Sequence, residues 1–394
     1  MSWETVKLAD LCTVITKGTT PSNIGADFTN RGINYIRSEM ITNAKYIVSD
    51  GMLYISNETH EKLKRSQLQK GDILFSMAGV YLGKTAVLRE EDVPANTNQA
   101  VALIRINSLK CNLEYVYYFL NLPETVTKVN TVSGQAAQPN INLKQIGNIE
   151  ICLPSLENQN KIVDILSAYD DLIENNQKQI KLFEESAQRL YKEWFVDLRF
   201  PGHETTSIID GIPQGWKRER LVDIADVQYG YSFDGAMFNS DGKGMPIIRI
   251  RNIPDGITKD FTTEEADERY IVENGEIVVG MDGEFHINSW NGSKAYLVQR
   301  SCCIRPQDSN MKGYLLQAIY EPIKFFESTI QGATVAHLGK KHIDTITVLT
   351  APCELYKPFQ QYFEKRQTLL NQNQLLAEAC DRLLPKLMSG EIEV

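Results

Sequence analysis

The chain has no uninterrupted apolar run of 18 or more residues, the minimum for a helix crossing a bilayer, and this excludes a helical membrane protein. Histidine is scarce, with residues only at positions 60, 203, 286, 337 and 342, and none falls at H-E-x-x-H or another metal-ligand spacing. The seven cysteines, Cys12, Cys111, Cys152, Cys302, Cys303, Cys353 and Cys380, contain no C-x-x-C pair, so neither a zinc ribbon nor a dithiol redox site is expected. Several lie in apolar runs such as residues 149–153, where a reduced thiol behaves as a small core hydrophobe. No G-x-G-x-x-G follows a strand-like run, no Pro-Pro-Tyr occurs, and the carboxylates form no nuclease cluster. No catalytic residue, metal site or bound cofactor is therefore expected in this chain.

Excess positive charge is also missing. With 41 Lys and Arg against 50 Asp and Glu, the net charge is −9, which argues against a general nucleic-acid binder because phosphate neutralisation supplies most of that affinity. Any contact with DNA has to rest on local basic patches or on a partner's charge. The first residues, Met1 to Lys7, lack a basic stretch followed by an apolar one, so no secretory signal is read and the cytoplasm is the expected location.

What is present is a duplication. At 394 residues the chain is long enough for two domains, each with its own core. An ordered self-match has a period of about 200 residues, far beyond solenoid periods. Trp3, Leu8, Asp10 and Val14 match Trp216, Leu221, Asp223 and Val227; residues 32–37 match 244–249, and 71–77 match 275–281. Ser133, Gly134 and Gln135 align with Gln331, Gly332 and Ala333. Short apolar runs between Gly- and Asn/Asp-rich turns read as strands, and helices are predicted near Leu113–Leu122 and Tyr314–Glu327. Each copy is thus a mixed α+β domain. The stretch 201–215, rich in Pro and Gly, is the linker candidate.

From Glu157 to about Leu198 there is no proline or glycine, and a heptad seam runs through Ile162, Leu166, Tyr169, Ile173, Asn176, Ile180, Phe183, Ala187, Leu190 and Trp194. An offset of 197 regenerates it as Phe359, Phe363, Arg366, Leu370, Asn373, Ala377, Cys380, Leu384 and Leu387, with Arg366 and Ala377 as its weaker members. A helix of about 40 residues is about 60 Å long and cannot be buried in one small domain. The two are expected to pair as an antiparallel coiled coil about a pseudo-twofold axis. Asn176 and Asn373 then either face each other and set the register or both reach solvent.

The segment from Ala78 to Thr85 fits a relaxed phosphate-loop pattern. The residues after it are too soon broken to form the helix that such a loop must open. Side chains suited to phosphates or base edges are more plentiful. The first copy offers Lys17, Thr19, Thr20, Arg37, Ser38, Tyr81, Lys84, Asn98, Gln99, Gln135 and Gln138; the second offers Tyr231, Arg249, Arg251, Asn252, His286, Asn288, Lys294, His337 and Lys340. Arginine suits guanine, Asn or Gln suits adenine, and lysine or a threonine hydroxyl suits phosphate. Arg37 and Arg249 occupy equivalent places and are as suited to bracing the domain as to touching a base.

The order of features resembles the specificity subunit of type I restriction-modification systems over essentially the whole chain. The local matches are Pro213-Gln-Gly-Trp216, the run Leu190 to Asp197, and the C-terminal run Leu383 to Val394. The resemblance implies target-recognition domains at 1–155 and 216–352, spacer helices at 156–200 and 353–394, and a linker at 201–215. It implies a non-catalytic subunit that reads a two-part target in double-stranded DNA and binds two methyltransferase subunits along its helices, with a restriction/translocase subunit joining for cleavage. S-adenosylmethionine and ATP would sit on those partners. The second copy has Glu391 and Ile392 where the first has Trp194 and Phe195, which puts in doubt a shared role of that pair at a partner contact. Rival readings are a self-sufficient restriction-methylation enzyme and a coiled-coil scaffold whose globular domains bind proteins.

Overall fold

A computed structural model describes residues 3–42, 44–49, 51–132, 139–329 and 336–394. The chain forms two compact units, Met1–Leu172 with Leu376–Val394, and Ile173–Leu375.

In the first unit a four-stranded antiparallel sheet has the order Cys12–Lys17, Val101–Ile106, Ile73–Ser76, Thr85–Val87. Its middle strands are apolar at successive positions because both faces are covered. Ile73, Phe75, Ala102 and Ile104 enter a core shared with helices, while Leu74, Val101 and Leu103 enter a second core with Ile36, Met40 and Ala95. A smaller sheet, Leu53–Ile55, Ile33–Ile36 and Ala95–Thr97, contributes Ile36 and Ala95 to that second core and contains the parallel pairing of Ile33–Ile36 with Ala95–Thr97. The helix expected near 113–122 is Leu113–Leu120, opened by Asn112, whose side chain accepts hydrogen bonds from the Glu114 and Tyr115 amides. It is followed by Pro123–Val132.

The second unit repeats this plan. Its main sheet runs Ala225–Tyr229, Ser301–Pro306, Ile277–Gly280, Ile287–Ser289. Ile277, Val279, Cys302 and Ile304 face the helical core; Val278 and Cys303 face the other. Cys302 and Cys303 therefore serve as small hydrophobes on opposite faces, and burial pushes the Cys302 thiol up to about 12. All seven cysteines are free, and Cys353 alone among them is exposed. Two helices, Lys312–Ala318 and Tyr320–Thr329, stand where one was expected. The proposed linker contains a short hairpin, Ile208–Ile209 with Ile212–Pro213.

One sequence match is displaced. A bulge between Cys12 and Val14 puts Val14 opposite Arg105 and Ile15 opposite Ile104, whereas Val227 pairs with Ile304. The counterpart of Val227 is Ile15, one residue later than the sequence match.

The long helices are Leu156–Tyr191, which passes into a π-turn at Lys192–Val196, and Lys357–Ser389, which ends at Gly390 with φ 74°. In the first unit, Ile162, Leu166, Leu384 and Leu387 are buried in the domain core. In the second, the helices run antiparallel: Phe183 meets Tyr362 with ring centroids 6.0 Å apart, and Asn176 Nδ2 donates to Asn373 Oδ1 at 2.9 Å. Ala377 is exposed and adds no burial to the seam. Arg366 does more than the heptad pattern foresaw. Its guanidinium reaches Glu184 at 2.5 Å, Ser289 Oγ at 2.6 Å and Asn288 Oδ1 at 2.9 Å, fastening helix to helix and helix to sheet. Phe195 is 6% exposed among Tyr191, Trp216, Tyr314, Tyr356 and Phe359. It is thus a core residue of the second unit, and Ile392 packs against the core of the first.

Candidate nucleic-acid interface

Each unit has a framework that the other repeats. Arg105 donates from Nε and Nη2 to the Asp72 carboxylate at 2.7 and 2.8 Å; Arg305 does the same to Glu276 at 2.7 and 3.1 Å. Tyr115 donates to the Cys152 carbonyl at 2.6 Å and Tyr314 to the Leu349 carbonyl at 2.5 Å. Gly18 and Gly230 mark a close crossing of backbones, since an added Cβ would lie 1.9 Å from the Thr97 oxygen or 2.1 Å from the Val298 oxygen. Neither arginine nor its acid featured among the sequence candidates, although the acids fall within the matched segments 71–77 and 275–281.

Beyond this framework three segments meet at one end of each main sheet. In the first unit the Met77 amide donates to Ala100 O at 2.8 Å, Gly79 to Pro139 O at 3.0 Å, and Ile141 to Met77 O at 3.0 Å. In the second, Met281 donates to Arg300 O at 2.9 Å, Gly283 to Ala336 O at 3.0 Å, and Leu338 to Met281 O at 2.8 Å. The backbone geometry is shared, with methionine at 77 and 281 and glycine at 79 and 283, but Ala78, Ala100 and Asn140 of the first unit stand where the second has Asp282, Arg300 and His337.

In the first unit this end carries Tyr81 and Lys84, with the ammonium 5.3 Å from the ring centroid, beside Val80, which is 88% exposed. Gln99 is exposed and accepts a hydrogen bond from Thr20 Oγ1; the Asn98 side chain turns back to the Ala100 amide. Lys17 is exposed at the strand end, and the Thr19 carbonyl accepts from Tyr35 Oη at 3.2 Å. Arg37 is bound to Glu39 at 2.7 Å, and Ser38 lies against the same carboxylate. Gln135 and Gln138, with the Ser133–Gln135 and Gln331–Ala333 match, lie outside the described residues. The loop from Ala78 runs through a 3-10 turn at Gly79–Tyr81 into strand Thr85–Val87, so no helix N-terminus points back at it as phosphate binding would require.

In the second unit the corresponding end carries Asp282, Arg300 and His337. Arg300 Nη1 donates to one Asp282 oxygen at 2.5 Å and His337 Nδ1 meets the other at 2.5 Å. Of this group only His337 was singled out from the sequence. Tyr231 meets Phe233 edge to face and Tyr270 at a tilt, at centroid distances of 4.8 and 5.2 Å. Several other candidates are held by neighbours. Arg251 binds Asp260 at 2.6 Å, Asn252 donates to the same carboxylate at 3.3 Å, and Arg249 lies over Phe238 at 5.6 Å. Lys294 binds Glu273 at 2.6 Å and His286 lies 3.7 Å from Glu284. Asn288 is committed internally, donating to the Ile253 and Pro254 carbonyls and accepting from Arg366. Lys340 is exposed on the first turn of helix Lys340–Ile343. Among the described residues no group of His, Cys, Asp and Glu is placed to hold a metal ion, and no helix is long and apolar enough to cross a membrane.

A family model described as the type I restriction modification DNA specificity domain matches the chain twice, over residues 1–184 and 213–361. The type I restriction enzyme MjaIX specificity subunit of Methanocaldococcus jannaschii is 27% identical, over 100% of this chain and 94% of that protein. The same organism's putative type I restriction enzyme MjaX specificity subunit is 23% identical over the same shares. The crystal structure of a type I restriction-modification system S subunit from M. genitalium shares the fold, with a TM-score of 0.55 and 15% identity over 98% of this chain and 95% of that one.

Proposed function

The chain belongs to the type I restriction-modification DNA specificity family, and from that membership we propose that its two units each read one half of a split target in double-stranded DNA. As the specificity subunit it supplies recognition and no catalytic step. The observation that carries the bipartite reading is the pairing of one framework with two sets of end residues. Arg105–Asp72 and Arg305–Glu276 brace equivalent sheets, while the same end of the sheet carries Tyr81, Lys84 and Gln99 in one unit and Asp282 and Arg300 in the other. Different donors and acceptors on the same scaffold read different base edges.

In this reading two methyltransferase subunits engage the long helices, and a restriction/translocase subunit joins them, all in the cytoplasm. S-adenosylmethionine and ATP belong to those partners. The net charge of −9 fits this division, because most phosphate neutralisation would come from the partners and only local cations from this chain. The test is a footprint of the chain complexed with its methyltransferase. Protection of a split sequence with an unread gap is expected; protection independent of sequence would overturn the reading.

A further inference from the structure

We propose that Arg300, braced by Asp282 and flanked by His337, is a guanine-reading element that serves only the half-site of the second unit. This rests on the proposed DNA-reading function and gives it a residue. Three observations converge. The Arg300 side chain is 66% exposed while its partner carboxylate is 12% exposed, so a largely buried anchor holds a largely free fork. Arg300 has φ 65°, a backbone conformation that disfavours every residue with a Cβ, and it immediately precedes the buried strand Ser301–Pro306. Its carbonyl is held as well, by the hydrogen bond from the Met281 amide at 2.9 Å.

A guanidinium has five donors. Engaging Asp282 through Nη1 leaves others for the O6 and N7 acceptors of guanine, and loss of side-chain freedom has already been met by the brace. Burial by itself would raise the Asp282 pKa, but the hydrogen bonds from His337 and Arg300 outweigh it and keep the carboxyl below the ordinary carboxylate range, so the anchor stays charged. With Nδ1 turned to Asp282, His337 keeps its other ring nitrogen for a neighbouring base or phosphate. Among the described residues the first unit has no counterpart of this group. Ala78, Asn140 and Ala100 occupy the equivalent backbone positions, which is why the effect is confined to one half.

The experiment selects target duplexes from a random pool with the full chain in complex with its methyltransferase, comparing wild type, R300G and R300K. Glycine tolerates the positive φ, and lysine keeps the charge while removing the fork. The wild-type complex should require guanine at one position of one half-site. Both variants should lose that preference, with about 5- to 150-fold weaker binding to the wild-type target and the other half-site unchanged. R300G weakening binding uniformly while the guanine preference persists would show a phosphate contact, and R300G selecting the wild-type target at wild-type affinity would remove Arg300 from recognition; either result overturns the inference while leaving the specificity reading standing. A wild-type complex that selects no sequence would overturn both.

Discussion

The Asn176 side-chain amide donates to the Asn373 oxygen at 2.9 Å, so two residues 197 positions apart, at the same step of two heptad seams, meet between the antiparallel helical segments of the second unit. Asn176 is buried and Asn373 half-buried. Replacing either one alone by leucine leaves an amide facing an apolar side chain, at a cost of about 1–3 kcal/mol. The double leucine variant should recover most of that loss, and a double-mutant cycle read by chemical denaturation should give a coupling of about 0.5 kcal/mol or more. Additive effects would mean that the two amides act independently.

Phe195 sits with ring centroids 4.6 Å from Tyr314 and 5.0 Å from Trp216. Phe195→Ala should therefore destabilise the second unit by about 3–5 kcal/mol through lost burial and a residual cavity. Phe195→Leu should cost visibly less. Urea titration followed by tryptophan fluorescence reads this directly, because Trp216 borders the cavity; near-neutral substitution would contradict the packing.

The Arg305–Glu276 pair predicts that a second substitution rescues the first. Arg305→Met strands a carboxylate that is 15% exposed, and since the guanidinium itself is 26% exposed, solvent screening limits the loss to about 1–3 kcal/mol. Adding Glu276→Leu removes the stranded charge and should restore stability to near that of wild type. Thermal melts of the wild type and the two variants test this, and a double variant as unstable as the single would place the cost in lost packing instead.

Stability should fall steeply on the alkaline side. Burial pushes the Tyr35 phenol up to about 12, and burial followed by the nearby Asp170 charge raises Tyr117 and Tyr118 further. For Lys45, burial lowers the pKa, but the Glu114 hydrogen bond and charge outweigh it and the net shift is upward. All four groups have folded pKa values above their unfolded ones, so their contribution is complete below pH 10 and is lost as pH rises through the folded values. Tyr118→Phe should flatten this limb in circular-dichroism melts between pH 8 and pH 12, while an unchanged limb would show that Tyr118 does not govern it.

Exchanging residues 1–155 for those of a relative should change one half-site and leave the other intact, read by selection from random duplexes. Ile162, Leu166, Leu384 and Leu387 complete the first unit's core, so the donor must be matched at these contacts or the exchange will lose stability before specificity can be read. A change in both half-sites would contradict independent reading.

Much of this was legible in the residues themselves. Duplication, strand-rich domains and long amphipathic helices leave periodic traces, because burial on one face of a helix or on both faces of a sheet dictates where apolar side chains recur. The matched Gly71-Asp72 and Gly275-Glu276 segments already marked equivalent strand starts. Less was legible at the candidate site. Lys84, Gln99 and His337, which lie at these sheet ends, were selected because their side chains suit DNA, but the same criterion selected Asn288, which is spent on Arg366, and passed over Arg300 and Asp282. A side chain's type does not reveal its partner when that partner is distant in the chain.

The sequence by itself determined that there are two related units, that each long helix has a seam, and that the steps Asn176 and Asn373 correspond, since all of these depend on local periodicity or on comparison at a constant offset. Tertiary structure decided that the two amides touch, that Arg366 belongs to a polar network, that a bulge displaces Val14, and that Asp282 gathers Arg300 and His337. Those outcomes follow from which segments hydrogen-bond across a sheet or a helix pair, and long-range pairing leaves no periodic mark in a single chain.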